Sequence, residues 1–200
     1  MPLPSFLGVT KPLKVSPAAK TLAIAAAPAA TPNPLAFNMQ LQQQTEWCWA
    51  ATAASVAAYY KDPAAMTQCQ IATACLSMNC CINPLPDPPP PTWAGNRTFT
   101  LNVALGVVNH FTEPVLQRAI DFPAIVAEID AGRPVCCHIS WDPGSPLLGH
   151  FNVIAGYDAA RNDVVVRDPS GTLSDGVFPY ESFKSNYHGG RWDQTYLTHE

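Results

Sequence analysis

The sequence predicts an α+β protein, with helices in its first part and an antiparallel sheet in its second. Three observations carry this. Residues 48–60 (CWAATAASVAAYY) are alanine-rich and apolar nearly all round, the mark of a buried helix. After Pro134 the pattern changes to short strand-like runs, separated by turn signals at Asp142-Pro-Gly, Arg161-Asn-Asp and Asp168-Pro-Ser-Gly. Helical patterns followed by strand patterns, rather than alternating with them, point to segregated layers. With 200 residues, 48% of them hydrophobic, the chain can bury one core of its own.

Residues 1–36 stand apart from that body. They hold seven of the 21 prolines, and nine alanines fall between Ala18 and Ala36. No apolar period runs through them, so they read as a disordered leader, a pro-segment or part of an export signal. Thr21–Ala27 (TLAIAAA), preceded by Lys11, Lys14 and Lys20, is a weak apolar export segment. Residues 37–200 form the expected domain. The buried helix opens it. Pro84–Pro91 (PLPDPPPP) is an extended surface loop. A second helix, Thr100–Val108, aligns Leu101, Ala104, Leu105 and Val108 on one face. A third, 122–131, is capped by Asp121, carries Ile125, Val126 and Ile129, and stops at Gly132. The strands are Val135–Trp141, His150–Tyr157, Asp163–Asp168 and Trp192–Thr198.

Composition excludes several functions. Net charge is −4 and only 13% of residues are charged, which argues against nucleic-acid binding. No run of 18 apolar residues is present, so no membrane-spanning helix is expected. Seven cysteines are present. Apart from Cys48 they are Cys69, Cys75, Cys80, Cys81, Cys136 and Cys137. Disulfides among these six would place the chain in an oxidising compartment, with each member of a vicinal pair reaching a different partner. Buried free thiols are the alternative. The C-x5-C-x4-C-C spacing lacks a zinc frame.

The residues suited to chemistry centre on Cys48. A thiol at a helix N-terminus meets the positive end of the dipole and unpaired N–H groups, both of which favour the nucleophilic thiolate. Its own backbone N–H can face a developing oxyanion, and Gln42, six residues upstream, can add a side-chain N–H. Gln43 and Gln44 compete for that part. Of the five histidines, His150 is best placed as base: it starts an apolar strand and follows Gly149, which lets a substrate backbone approach. Asp168, at the end of the next strand, can accept Nδ1–H of His150 and fix its tautomer. His138 and His188 are the fallback bases. Trp141 and Trp192 suit either the core or shielding of the His–Asp pair. Asn96-Arg97-Thr98 fits a glycosylation sequon.

Together, Gln42-x5-Cys48-Trp49-Ala50, Gly149-His150-Phe151-x-Val153-x-x-Gly156-Tyr157 and Arg167-Asp168-Pro169 resemble a papain-like cysteine peptidase. The likeness covers about residues 38–198. It is closer to the compact bacterial branch of staphopain-like, bacteriocin-leader-processing and plant-pathogen avirulence effector peptidases. Trp47-Cys48-Trp49-Ala50-Ala51, Tyr59-Tyr60, Cys69, Cys80-Cys81 and Trp192…Thr195-Tyr196 add to it. The resemblance implies two lobes: a helical one whose buried central helix starts at the Cys, and an antiparallel β lobe carrying His and Asp. It implies Cys48 as nucleophile, His150 as base and then acid, Asp168 as orienter and Gln42 as oxyanion donor. Papain itself has Asn as third residue, and Asp would make the His more basic. The implied reaction is hydrolysis of a protein or peptide substrate through a thioester, with no metal or organic cofactor. A monomer without nucleic-acid or membrane partner, outside the cytoplasm or secreted, is expected. The same triad order also serves acyl transfer to an amine in transglutaminase-like enzymes, and a non-catalytic relative could bind a partner in the cleft. The departures are Cys136-Cys137, which an added disulfide would explain, and the proline loop.

Overall fold

The computed structural model describes residues 33–82, 93–142, 149–173 and 175–200. The expected leader as far as residue 32, the proline run 84–91 and most of the turn between Asp142 and Gly149 lie outside the described residues.

The described residues open on a two-residue strand, β1 (Asn33–Pro34), and then enter the helical lobe. That lobe is built from α1 (Cys48–Tyr59), α2 (Gln68–Leu76) and α3 (Leu101–Val107). β2 (Phe111–Leu116) leads to α4 (Phe122–Asp130). The β lobe follows with β3 (Val135–Ser140), β4 (Gly149–Asp158), β5 (Asp163–Arg167), β6 (Gly176–Pro179), α5 (Tyr180–Asn186) and β7 (Arg191–Thr198). The α+β class and the antiparallel sheet are as expected.

Local chemistry explains most boundaries. α1 is buried from Cys48 to Ala57, because alanine lets neighbouring elements approach on every side. Asp121 caps α4 through a 3.0 Å bond from the Ala124 N–H, and Gly132 (φ +76°) ends the segment. α2 was not expected. Its start is a capping box: the Gln70 N–H donates to Thr67 Oγ1, and the Thr67 N–H to Gln70 Oε1. β2, β6 and α5 were also missed. They are short and only partly buried, so their periodicity is weak.

The sheet order is β2-β7-β3-β4-β5-β6, all antiparallel. β1 takes the place beside β4 beyond the end of β3, with Asn33 opposite Tyr157 and Pro34 opposite Gly156. The last residues of the expected leader segment are thus part of the sheet.

Strand alternation divides the core in two. Cys136, Val153 and Tyr196 face the helical lobe and join Trp47, Trp49, Ala53 and Leu105. Cys137, Ile154 and Trp192 face the other way and join Ile125, Ile129 and Phe183. This corrects the expected role of the vicinal pair. Cys136 and Cys137 point into opposite cores as free thiols, and burial pushes both well above the ordinary thiol range. Among the described residues one disulfide is present, Cys69–Cys81, and it ties α2 to the segment after it.

Because α1 has no free face, enlarging its interior should be costly. Ala53→Leu is expected to lower stability by about 1–3 kcal/mol, read from the urea midpoint.

Candidate active site

Cys48 is the first residue of α1 and is 6% exposed. No side chain caps that helix start, which leaves its first-turn N–H groups open to a ligand. Trp47 and Trp49 flank the thiol and are buried; their indole N–H groups donate to Gly95 O and Arg97 O. These bonds lock the turn that presents Cys48.

His150 stands at the start of β4, where β3 and β4 pair Ile139 with His150 and Ser140 with Gly149. β5 returns beside β4 and ends at Arg167, so Asp168 emerges next to His150. His150 Nε2 lies 2.8 Å from Asp168 Oδ1. The second ring nitrogen, Nδ1, is left free of Asp168, and Cys48 is near enough to the imidazole to act on it electrostatically. This reverses the tautomer expected from sequence: Asp168 engages Nε2, not Nδ1. Ring orientation follows from packing, with the Trp141 ring 6.0 Å from the imidazole. Trp141 is exposed and covers His150, whereas Trp192 belongs to the second core.

The Asp168 side chain is wholly buried. A buried carboxylate needs donors, and three are supplied. Besides His150, the Tyr187 hydroxyl donates to Oδ2 at 2.9 Å and the Ser170 N–H to Oδ1 at 2.8 Å. Burial, then the Asp168 charge, pushes the Tyr187 phenol up, so it stays a donor. Tyr187 escaped the sequence reading because nothing local marks it, whereas the Ser170 bond is the Asx turn that goes with the Asp168-Pro-Ser-Gly signal.

Burial works against a charged His150, but its bonds and charge interactions with Asp168 and Cys48 outweigh it. The imidazole is pushed up to about 9.

Gln42 reaches the same cleft. A cavity of about 450 Å³ is lined by Gln42, Cys48, Trp141, His150 and Ser170, among others. The Gln42 loop is held from three sides. Gln40 N–H donates to Ser55 Oγ of α1, Gln43 N–H to Gln68 Oε1 of α2, and Gln42 N–H to Pro169 O beside Asp168. The Gln42 amide donates to Gln44 O at 3.1 Å and Thr45 O at 2.6 Å, so both its N–H groups face loop carbonyls. Asn96, the sequon residue, secures the other end of the loop through Thr45 Oγ1 and the Glu46 N–H.

The fallback bases are engaged by other partners, although His138 lines a cavity that also meets Cys48. His138 pairs with Asp193 at 2.7 Å, and His188 packs beside Tyr187. A larger cavity of about 670 Å³, between α4, α5 and β7, contains neither Cys48 nor His150. Among the described residues no cluster of three or more His, Cys, Asp or Glu could hold a metal ion.

Residues 34–198 match the Peptidase_C39 like family. The structure is similar to the peptidase domain of Streptococcus ComA, a bi-functional ABC transporter involved in a quorum sensing pathway. That likeness has 17% identity and a TM-score of 0.50, over 82% of this chain and 99% of that one. It is also similar to a protein from Bacillus anthracis described as a C39-like peptidase, with 14% identity and a TM-score of 0.51, over 84% of this chain and 97% of that one. At these identities the likeness shows the fold. No curated protein sequence matches the chain.

The raised His150 value fixes a sign. A cationic group whose folded value exceeds the ordinary ~6.5 stabilises the fold fully below about 6.5 and loses that contribution as pH rises through about 9. By NMR, His150 should titrate near 9, and Asp168→Asn should move its midpoint down toward 6.5.

Proposed function

The chain belongs to the Peptidase_C39 like family, which makes it a cysteine peptidase, and we propose that it cleaves peptide bonds through Cys48, His150 and Asp168. One observation carries the assignment of roles: a single buried imidazole that is hydrogen-bonded to Asp168 and shares one cavity with the cysteine that opens α1. Nucleophile, base and orienter are brought together, as thioester chemistry requires.

The Cys48 sulfur attacks the scissile carbonyl carbon. The oxyanion is held by the Cys48 backbone N–H and by Gln42 Nε2, whose longer bond to Gln44 O is the one given up. The protonated His150 gives its Nδ1 proton to the leaving amine, and the C–N bond breaks to leave a thioester. His150 Nδ1 then takes a proton from water, whose hydroxide attacks the thioester. Collapse releases the acid product and the Cys48 sulfur. Asp168 keeps Nε2 protonated throughout and offsets the imidazolium charge. Trp141 limits water at the pair.

The Cys69–Cys81 bond supports work in an oxidising, extracytoplasmic compartment.

On a peptide substrate, Gln42→Ala should lower kcat about 10²-fold with little change in KM. Activity needs the His150 proton, so the alkaline limb of kcat should fall near pH 9. Unchanged kcat in Gln42→Ala would remove it from the oxyanion site.

A further inference from the structure

A second cavity, of about 280 Å³, meets Cys48 from the other side. Its walls are rings: Trp49, Phe99, Phe151 and Tyr196. Neither His150 nor Gln42 lines it. The leaving amine must sit within reach of His150, so this cavity faces a residue on the acyl side of the scissile bond.

Its polar lining comes from Thr98, Thr100, His138 and Gln194. Gln194 accepts from the Tyr196 hydroxyl at 2.6 Å and donates to Gln117 at 3.0 Å. His138 is buried in β3, with Nδ1 2.7 Å from Asp193 Oδ1. A carboxylate only accepts, so Nδ1 carries the hydrogen and the neutral ring keeps a free lone pair on Nε2. No described residue hydrogen-bonds to Nε2. Nε2 lies where a side chain on Gly149 would project; a Cβ there would collide with it. Glycine beside His150 is therefore what admits this ring into the wall of the cleft.

We infer that this cavity is a specificity pocket for a tyrosine side chain of the substrate, read by His138 Nε2. The inference rests on the peptidase reading above. A phenol ring suits the aromatic walls, and its O–H supplies the donor that Nε2 lacks. Phenylalanine fills the rings but leaves a buried acceptor unpaired. A lysine ammonium brings three donors to one acceptor and pays desolvation for the others. Asp193 holds the His138 tautomer and does not touch the substrate.

The test uses peptides that differ at one position, scanned over the residues preceding the scissile bond, with tyrosine, O-methyltyrosine or phenylalanine. O-methylation removes the donor and keeps the ring. At one position tyrosine should exceed both others in kcat/KM by about fivefold or more. In His138→Leu the tyrosine-to-phenylalanine ratio should fall to about one. Cleavage with equal rates for all three side chains at every position overturns the pocket and leaves the peptidase reading standing. So does a ratio that survives His138→Leu. No cleavage of any peptide overturns both.

Discussion

The site depends on one buried hydrogen bond, between His150 Nε2 and Asp168 Oδ1. A carboxylate with no solvent access is tolerable only when donors replace its water. Here they come from three parts of the β lobe: His150 at the start of β4, Ser170 just past Asp168, and Tyr187 just after α5. The register of β4 on β5 must hold for the first, and α5 must dock for the last. Once Asp168 is fixed, the imidazole is fixed, and only one ring nitrogen is left for chemistry. Its direction determines where Cys48 has to be.

The helical lobe meets that requirement from the other side. α1 is buried around its whole circumference and cannot rotate, so the sulfur at its first turn is held as firmly as the sheet holds the imidazole. The loop carrying Gln42 bridges the lobes, since its backbone N–H bonds to Pro169 O next to the triad carboxylate. Ser55 and Gln68 hold the same loop to α1 and α2. Relative motion of the lobes would thus disturb the proposed oxyanion donor before it separated nucleophile from base.

Much of this was legible in the sequence because it lay in local patterns. The alanine-rich helix, the Asp121 cap, the four long strands and the placing of Cys48, His150 and Asp168 on them need only periodicity and turn chemistry. α2 was legible too, since Thr67 and Gln70 spell a capping box, yet its mixed polarity hid the apolar period. The rest is tertiary. Which imidazole nitrogen meets Asp168 depends on how the ring packs under Trp141. The Tyr187 bond spans 19 residues and the His138–Asp193 bond spans 55, and neither leaves a local mark. The two vicinal cysteines of β3 read as a disulfide candidate, but strand alternation sends them to opposite cores.

The most direct measurement is the rate of iodoacetamide alkylation at each cysteine of the folded, non-reduced protein between about pH 5 and 9, read by peptide mass spectrometry. Cys75, pushed up to about 11 by burial, and Cys80, Cys136 and Cys137, also raised by burial, should stay unmodified at pH 6. Cys48, paired with the His150 imidazolium at a helix N-terminus, should be labelled at pH 6 far faster than a free cysteine, and Asp168→Asn should slow it. A Cys48 rate that follows free cysteine across the range, unchanged in Asp168→Asn, would contradict the account.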